Sequence, residues 1–147
     1  MASHNSNSSA QQEAEKHLLG ALEQHLRASF AAGSSLPQNL GVKPDGVDLK
    51  NKIVAEVYAR VGELKGAQLH KAKADLLKLI YIKRMLGPEW RAVICFASSQ
   101  AASFLQGKSW AANAAREFGV EVVVQQLPEA QKQKVLAAQH RQRMVPA

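Results

Sequence analysis

The segment IVAEVYARVGELKGAQLHK, residues 53–71, constrains the fold of this chain most strongly. It opens with six strand-forming residues, of which only Glu56 is charged, and continues through a glycine into a lysine-rich stretch. Because side chains alternate across a strand, Glu56 shares one face with Val54 and Tyr58. The segment therefore predicts a strand that carries a carboxylate in its middle, with a basic helix directly after it.

Hydrophobic periodicity and turn residues predict the other elements. Helices are expected over residues 13–32, 68–86, 100–118 and 129–143, with Gly107 as an interruption of the third. Strands are expected twice within residues 42–58, around the polar connection 49–52, and again over 91–97 and 120–124. The order α-β-β-α-β-α-β-α predicts an α/β fold with helices on the faces of a mixed sheet.

The length of 147 residues favours one domain, expected over residues 11–147 and including the basic C-terminal helix. The Ser/Asn-rich residues 1–10 are expected to form a disordered tail. No apolar run approaches the roughly 18–20 residues that span a bilayer. The N-terminus also lacks the features of a signal peptide. We therefore expect a cytoplasmic protein without a membrane partner. Trp90 and Trp110 flank the central strand in the sequence, and core or hinge packing is expected for both in preference to base stacking.

A net charge of +7, from 19 Lys and Arg against 12 Asp and Glu, favours a polyanionic partner. Within residues 65–84 a single acid, Asp75, stands among six bases: Lys65, Lys71, Lys73, Lys78, Lys83 and Arg84. These six are the predicted nucleic-acid-binding residues. DNA is the favoured nucleic acid, and a second copy of the chain, forming a homodimer, is a further expected partner. A solvated helix face is the alternative interpretation of the same six residues.

A hairpin about the connection 49–52 would pair residues whose numbers sum to 101, which places Asp45 opposite Glu56. Directly opposed residues point to the same face, with Cβ atoms about 5 Å apart. Two like charges at this distance repel each other, and Mg²⁺ or Mn²⁺ would resolve the repulsion through oxygen ligands. The alternative is a structural role, with Asp45 in a turn after Pro44 and Glu56 as a rim carboxylate paired with Lys71 or Arg60. A one-residue slip of the register would also separate the acids.

Pro44-Asp45 on one strand, Glu56 on the next and a following helix with Gln68 resemble the PD-(D/E)xK nuclease superfamily. The resemblance implies a restriction-endonuclease-like fold, a metal held by Asp45 and Glu56, and hydrolysis of phosphodiester bonds. It also implies a catalytic lysine two residues after the acid, where this chain has Tyr58. Lys71 and Lys65 are the expected replacements for that lysine, and Gln68 is expected to join the site.

Three functions follow from these patterns. The first is a Mg²⁺- or Mn²⁺-dependent nuclease with the site described above. The second is a nucleic-acid-binding module that keeps the fold without catalysis. The third is an interaction or scaffold protein whose acids are structural.

Overall fold

The structure is a computed structural model that describes residues 2–30 and 35–144, with side chains described over 9–30 and 35–142. Its helices are α1 (Ala2–Leu26), α2 (Ala67–Leu86), α3 (Ser99–Ala102), α4 (Trp110–Glu117) and α5 (Glu129–Met144). Its strands are β1 (Gly46–Asp48), β2 (Ile53–Tyr58), β3 (Arg91–Phe96) and β4 (Val120–Val124). A 3-10 turn, Ser103–Leu105, follows α3. The predicted α/β class is confirmed.

The four strands form one mixed sheet in the order β1-β2-β3-β4. β1 runs antiparallel to β2, whereas β2, β3 and β4 are mutually parallel. All six residues of β2 are buried, and five of the six in β3. Near-continuous apolar strands of this kind are typical of parallel sheets covered on both faces.

Helices cover both faces of the sheet, so the core has two halves. On one side Val54, Ile94 and Phe96 pack against α2, α3 and α4. On the other side Ala55, Val93 and Cys95 pack against α1, and α5 closes that core. Strand alternation places Glu56 on the same face as Val54, which is the face covered by α2.

The hairpin register agrees with the prediction from sequence. Gly46 pairs with Ala55, Val47 with Val54 and Asp48 with Ile53, so partner numbers sum to 101. Asp48 fixes the turn, because its carboxylate accepts hydrogen bonds from the Asn51 backbone and side-chain nitrogens at 2.9 and 2.7 Å. An aspartate that bonds to its own following turn is a common local device. The register is therefore set within the hairpin.

Gly46 brings β1 close to helix α1 and to the segment after it. A Cβ atom at this position would lie 2.8 Å from Phe30 Cγ and 3.0 Å from Leu19 Cδ1, so a larger residue would clash. The close approach fixes the start of β1, and with it the neighbouring Asp45.

The structure differs from the predicted elements at both ends of α1 and within the predicted helix 100–118. Helix α1 begins at Ala2 rather than near residue 13, so residues 2–10 are helical instead of a disordered tail; extending a helix that already exists costs little. The helix also ends at Leu26, because Arg27 adopts a positive φ of 55°. The predicted helix 100–118 is divided, and α4 restarts where Ser109 Oγ accepts from Ala112 N.

No helix within the described ranges is long and apolar enough to cross a membrane.

Candidate active site

Asp45 and Glu56 lie side by side where β1 meets β2. Val57 N donates a hydrogen bond to Asp45 Oδ2 at 2.9 Å, which holds that carboxylate against the strand. The Asp45 carboxylate also shares a side-chain hydrogen bond with Glu56. Asp45 is exposed, whereas the Glu56 residue is only 3% exposed. The two carboxyl groups therefore point to the same side, as the register predicts.

Lys78 of α2 brings a cation to this pair. Its ammonium group contacts Glu56 Oε1, and Asp75 Oδ1 lies 4.0 Å from the same nitrogen. The Lys78 side chain is 25% exposed. Glu56 Oε1 is shielded from water, so the Lys78 ammonium group takes the place of solvent at this oxygen. A base therefore stands beside the strand acid, although it comes from the helix and not from β2.

The surroundings of Glu56 favour its neutral form. Burial raises the pKa of Glu56 to about 9, the hydrogen bond and charge of Asp45 act in the same direction, and Lys78 opposes them. The pKa of Lys78 is itself raised: burial lowers it, but the contact with Glu56 outweighs that effect. Glu56 thus loses its proton before Lys78 does. At neutral pH we infer a protonated Glu56 that donates to Asp45, beside a charged Lys78.

A cavity of about 280 Å³ lies at the carboxyl end of β2; Val57, the neighbour of Glu56, is among its lining residues, whereas Asp45, Glu56 and Lys78 are not. Glu15, Tyr58, Gln68 and Lys71 are among its lining residues. Lys71 Nζ lies 5.3 Å from the centre of the Tyr58 ring. In open α/β sheets ligands commonly bind at the carboxyl ends of the strands.

Glu15 connects α1 to the same charge cluster. Burial raises the pKa of Glu15, the hydrogen bond from Gln11 opposes that rise, and the charge of Asp45 adds to it. Lys71 lies close enough to Glu15 to lower the same pKa. The lining of the cavity therefore includes both an acid, Glu15, and a base, Lys71.

Two predicted site residues have structural contacts. Gln68 Oε1 accepts from Lys65 N at 3.1 Å, and Gln68 O accepts from the Tyr58 hydroxyl at 3.3 Å. Gln68 therefore binds the start of its own helix and the strand end. The Lys65 side chain is exposed, and no contact between it and Asp45 or Glu56 is seen in the described part of the chain.

The six predicted nucleic-acid-binding bases do not share one face. Lys71 and Lys78 lie on the flank of α2 near the acids, whereas Lys73 lies over the Phe104 and Trp110 rings. Lys83 Nζ donates to the backbone carbonyl of Trp90. The six bases are distributed around α2 and the loop before it, because successive positions rotate by about 100° around a helix. That these residues bind nucleic acid stays a prediction.

Sequence reasoning expected Lys71 and Lys65 to replace the lysine that the family resemblance implies, and it did not identify Lys78 as the base that contacts Glu56. The spacing Gln68, Lys71, Asp75, Lys78 already indicated one shared helix face. How far along that face Glu56 would lie depends on how α2 packs on the sheet, which periodicity does not reveal. Glu15 was also missed, because nothing local in α1 distinguishes it from other helix glutamates.

Trp110 differs from its expected core position, since 68% of the residue is exposed, whereas Trp90 is buried. Its position at the first residue of α4 directs the ring away from the sheet.

Comparisons of the chain with protein-family models, with curated proteins and with solved structures found no match.

Proposed function

We propose that the protein is a metal-dependent nuclease in which Lys78 replaces the lysine that Tyr58 displaces from β2. The contact between the Lys78 ammonium group and Glu56, beside Asp45, supports this proposal most directly. A strand acid, its opposed partner and a lysine then form the same chemical set as in the PD-(D/E)xK superfamily. Only the position of the ammonium group matters for its chemistry, so its origin on a helix is acceptable.

The donor set fits Mg²⁺ or Mn²⁺. Within the described residues no three His, Cys, Asp or Glu side chains form a ready metal site. Mg²⁺ is usually held by one or two carboxylates together with water and substrate phosphates. Asp45 and the ionised form of Glu56 would provide the two carboxylates, and a cation at Glu56 Oε1 would replace or share the contact with the Lys78 ammonium group. When bound, such a cation supplies Lewis-acid stabilisation of the charge that develops on a phosphate.

The protein's own residues would orient and balance these charges. Val57 N keeps the Asp45 carboxylate turned towards Glu56. Lys78 favours the ionised form of Glu56 and provides an ammonium group for the developing negative charge of the transition state. Lys71, at the wall of the cavity, is placed to bind a neighbouring phosphate. The Tyr58 hydroxyl donates to Gln68 O and has a structural role.

Cleavage assays with the full-length protein test this proposal. Single- and double-stranded DNA and RNA are incubated with Mg²⁺ or Mn²⁺, and products are resolved on gels. Glu56→Gln should abolish cleavage, and Lys78→Met should lower the rate by about 100-fold or more. Lys50→Met is the matched control, because Lys50 is exposed in the β1–β2 turn and is not one of the six predicted nucleic-acid-binding bases. Tyr58→Phe should also remain active.

Metal binding can be tested without activity. Mg²⁺ should raise the melting temperature of the unmodified protein and should leave that of Glu56→Gln nearly unchanged. Absence of both cleavage and a metal-dependent shift would contradict the nuclease proposal.

The burial of Glu56 favours a second candidate, a non-catalytic nucleic-acid-binding module. A protonated Glu56 that contacts Asp45 and Lys78 is a satisfied cluster in its own right. This candidate predicts salt-dependent binding of nucleic acid without cleavage. A protein that neither cleaves nor binds nucleic acid would instead be a scaffold with structural acids.

A further inference from the structure

An apolar groove lies between α2 and α4, away from the carboxylates. Leu77, Trp110 and Phe118 are 67%, 68% and 54% exposed along it. With Ile80 and Ala114 they line a cavity of about 420 Å³. Large apolar side chains grouped on a surface mark interaction sites more often than isolated ones do. We call this surface the α2–α4 groove.

The α2–α4 groove continues beyond this first cavity. A second cavity, of about 880 Å³, shares Ile80 and Phe118 with it and extends to Pro88. The two cavities together follow the neighbouring helices lengthwise, so the groove has the elongated form that an extended ligand or a helix requires.

The edges of the α2–α4 groove are basic. Lys73 stands at one end, with its ammonium group 5.4 Å from the centre of the Trp110 ring. Lys83 and Arg84 stand at the other end, where Glu117 is the acid among the lining residues. Three cations against one carboxylate give the edge a net positive charge, while the floor is apolar.

We propose that the α2–α4 groove binds an acidic amphipathic helix of another protein. Such a helix would place its apolar side chains on Leu77, Ile80 and Phe118, at the i, i+3, i+4 and i+7 spacing typical of helices bound in grooves. Its acidic residues would meet Lys73 and Arg84 at the edges. Complementary charge of this kind speeds association and selects against basic partners.

Two other occupants fit the groove less well. A second copy docked through the same surface would bring the basic edges together, because a two-fold interface pairs a patch with itself. Single-stranded nucleic acid stacks its bases on open aromatic faces. Here Lys73 lies over the Trp110 ring, and the floor is largely aliphatic.

The α2–α4 groove and the carboxylate site are on different flanks of α2. Asp75 and Leu77 are two positions apart, as are Lys78 and Ile80, which corresponds to about 200° around a helix. This proposal is therefore independent of the nuclease proposal, and either can fail alone.

Binding of a synthetic peptide tests the proposal. The probe is a labelled 16-residue helix, roughly four turns long, with leucine at the i, i+3, i+4 and i+7 positions and glutamate elsewhere. Fluorescence anisotropy with the full chain should show saturable binding. A peptide of the same composition in scrambled order should not bind.

Variants then locate the binding surface. Leu77→Gln and Trp110→Ala should each weaken binding about tenfold or more, because exposed aromatic and apolar anchors dominate such interfaces. Leu49→Gln is the matched control: Leu49 is 51% exposed in the β1–β2 turn and should not matter. Arg84→Glu should also weaken binding.

Three results would overturn the proposal. The first is equal affinity for the two peptides. The second is a concentration-dependent dimer that Leu77→Gln disrupts, measured by analytical ultracentrifugation, which would assign the groove to a second copy. The third is displacement of the peptide by a single-stranded oligonucleotide of arbitrary sequence. If Trp110→Ala abolishes the binding of that oligonucleotide, the groove would be assigned to nucleic acid.

Discussion

Glu56 should govern how the stability of the folded protein depends on pH. Its pKa is raised from 4.5 to about 9 in the folded state. Between these values the folded protein keeps a proton that the unfolded chain releases, so the free energy of unfolding falls as pH rises. One such proton gives a slope of up to about 1.4 kcal/mol per pH unit. Urea unfolding between about pH 5.5 and about pH 8.5 should show this fall.

Glu56→Gln provides the control, because glutamine resembles the protonated acid and does not titrate. The fall with pH should largely disappear in this variant. Glu15 and Asp75 also have raised pKa values, caused mainly by burial, and they add to the slope at its acidic end in both proteins. An identical pH profile for the two proteins would show that Glu56 is ionised at neutral pH.

Lys78→Met should move the same transition to higher pH. Lys78 is the cation that lowers the pKa of Glu56 through a hydrogen bond and through its charge, so its removal raises that pKa further. The pH at which the stability stops falling should therefore increase. Lys71→Met serves as the matched variant, because Lys71 acts on Glu15 and Asp75 instead. An equal shift from both substitutions would contradict a specific Lys78–Glu56 contact.

Helix α5 is joined to the loop after β2 by one buried side chain. Gln139 Oε1 accepts from Val61 N, and Gln139 Nε2 donates to Val61 O, each at 3.0 Å. Gln139→Leu leaves both backbone groups without these partners and should cost about 2 kcal/mol or more in the free energy of unfolding. Gln133→Leu, at an exposed position of the same helix, should change it by less than about 0.5 kcal/mol. Equal losses of stability in the two variants would show that Val61 N and Val61 O bind water when Gln139 is replaced.

The β1–β2 hairpin could be predicted from sequence because its determinants are local. The polar connection between Asp48 and Ile53 sets the turn, and alternation then fixes every side chain of the two strands. The opposition of Asp45 and Glu56 follows from this register, and the close approach of Gly46 to Leu19 and Phe30 then fixes the start of β1. The central strand β3 could be predicted equally well, since a continuous apolar run between turn residues is typical of a buried parallel strand.

The partner of Glu56 could not be predicted in the same way, because it depends on how α2 returns along the sheet. Lys71 lies over Tyr58, and Lys78, seven residues further, reaches Glu56. Seven residues of helix span about 10 Å, while two residues of strand span about 7 Å. Because α2 runs back along the sheet, a lysine later in α2 meets a residue earlier in β2. Lys65 lies before the start of α2, so it does not reach Glu56. Helical spacing predicts which residues share a face of α2, but it does not predict which of them lies opposite Glu56.

Helix α2 divides the molecule into two surfaces with different chemistry. The flank with Lys71, Asp75 and Lys78 faces the carboxylates and the cavity at the end of β2. The flank with Lys73, Leu77 and Ile80 forms the α2–α4 groove. A net charge of +7 is thus spread over several surfaces, and only part of it can meet one polyanion at a time.

This division predicts which bases contribute to the salt dependence of nucleic-acid binding. If DNA binds at the carboxylate site, the exposed Lys65 near the start of α2 should contact a phosphate, and Lys65→Gln should reduce the slope of log K against log salt by about 0.9. Arg84 lies nineteen residues further, about 28 Å along the helix and on the groove flank. Arg84→Gln should therefore leave the slope unchanged for a short duplex, although the two substitutions remove the same charge. Binding is measured by anisotropy of a labelled duplex, at several salt concentrations and with Glu56→Gln as background to prevent cleavage. A larger change of the slope in Arg84→Gln than in Lys65→Gln would place the DNA on the groove flank. An affinity that does not depend on salt would show that phosphate contacts do not contribute to DNA binding.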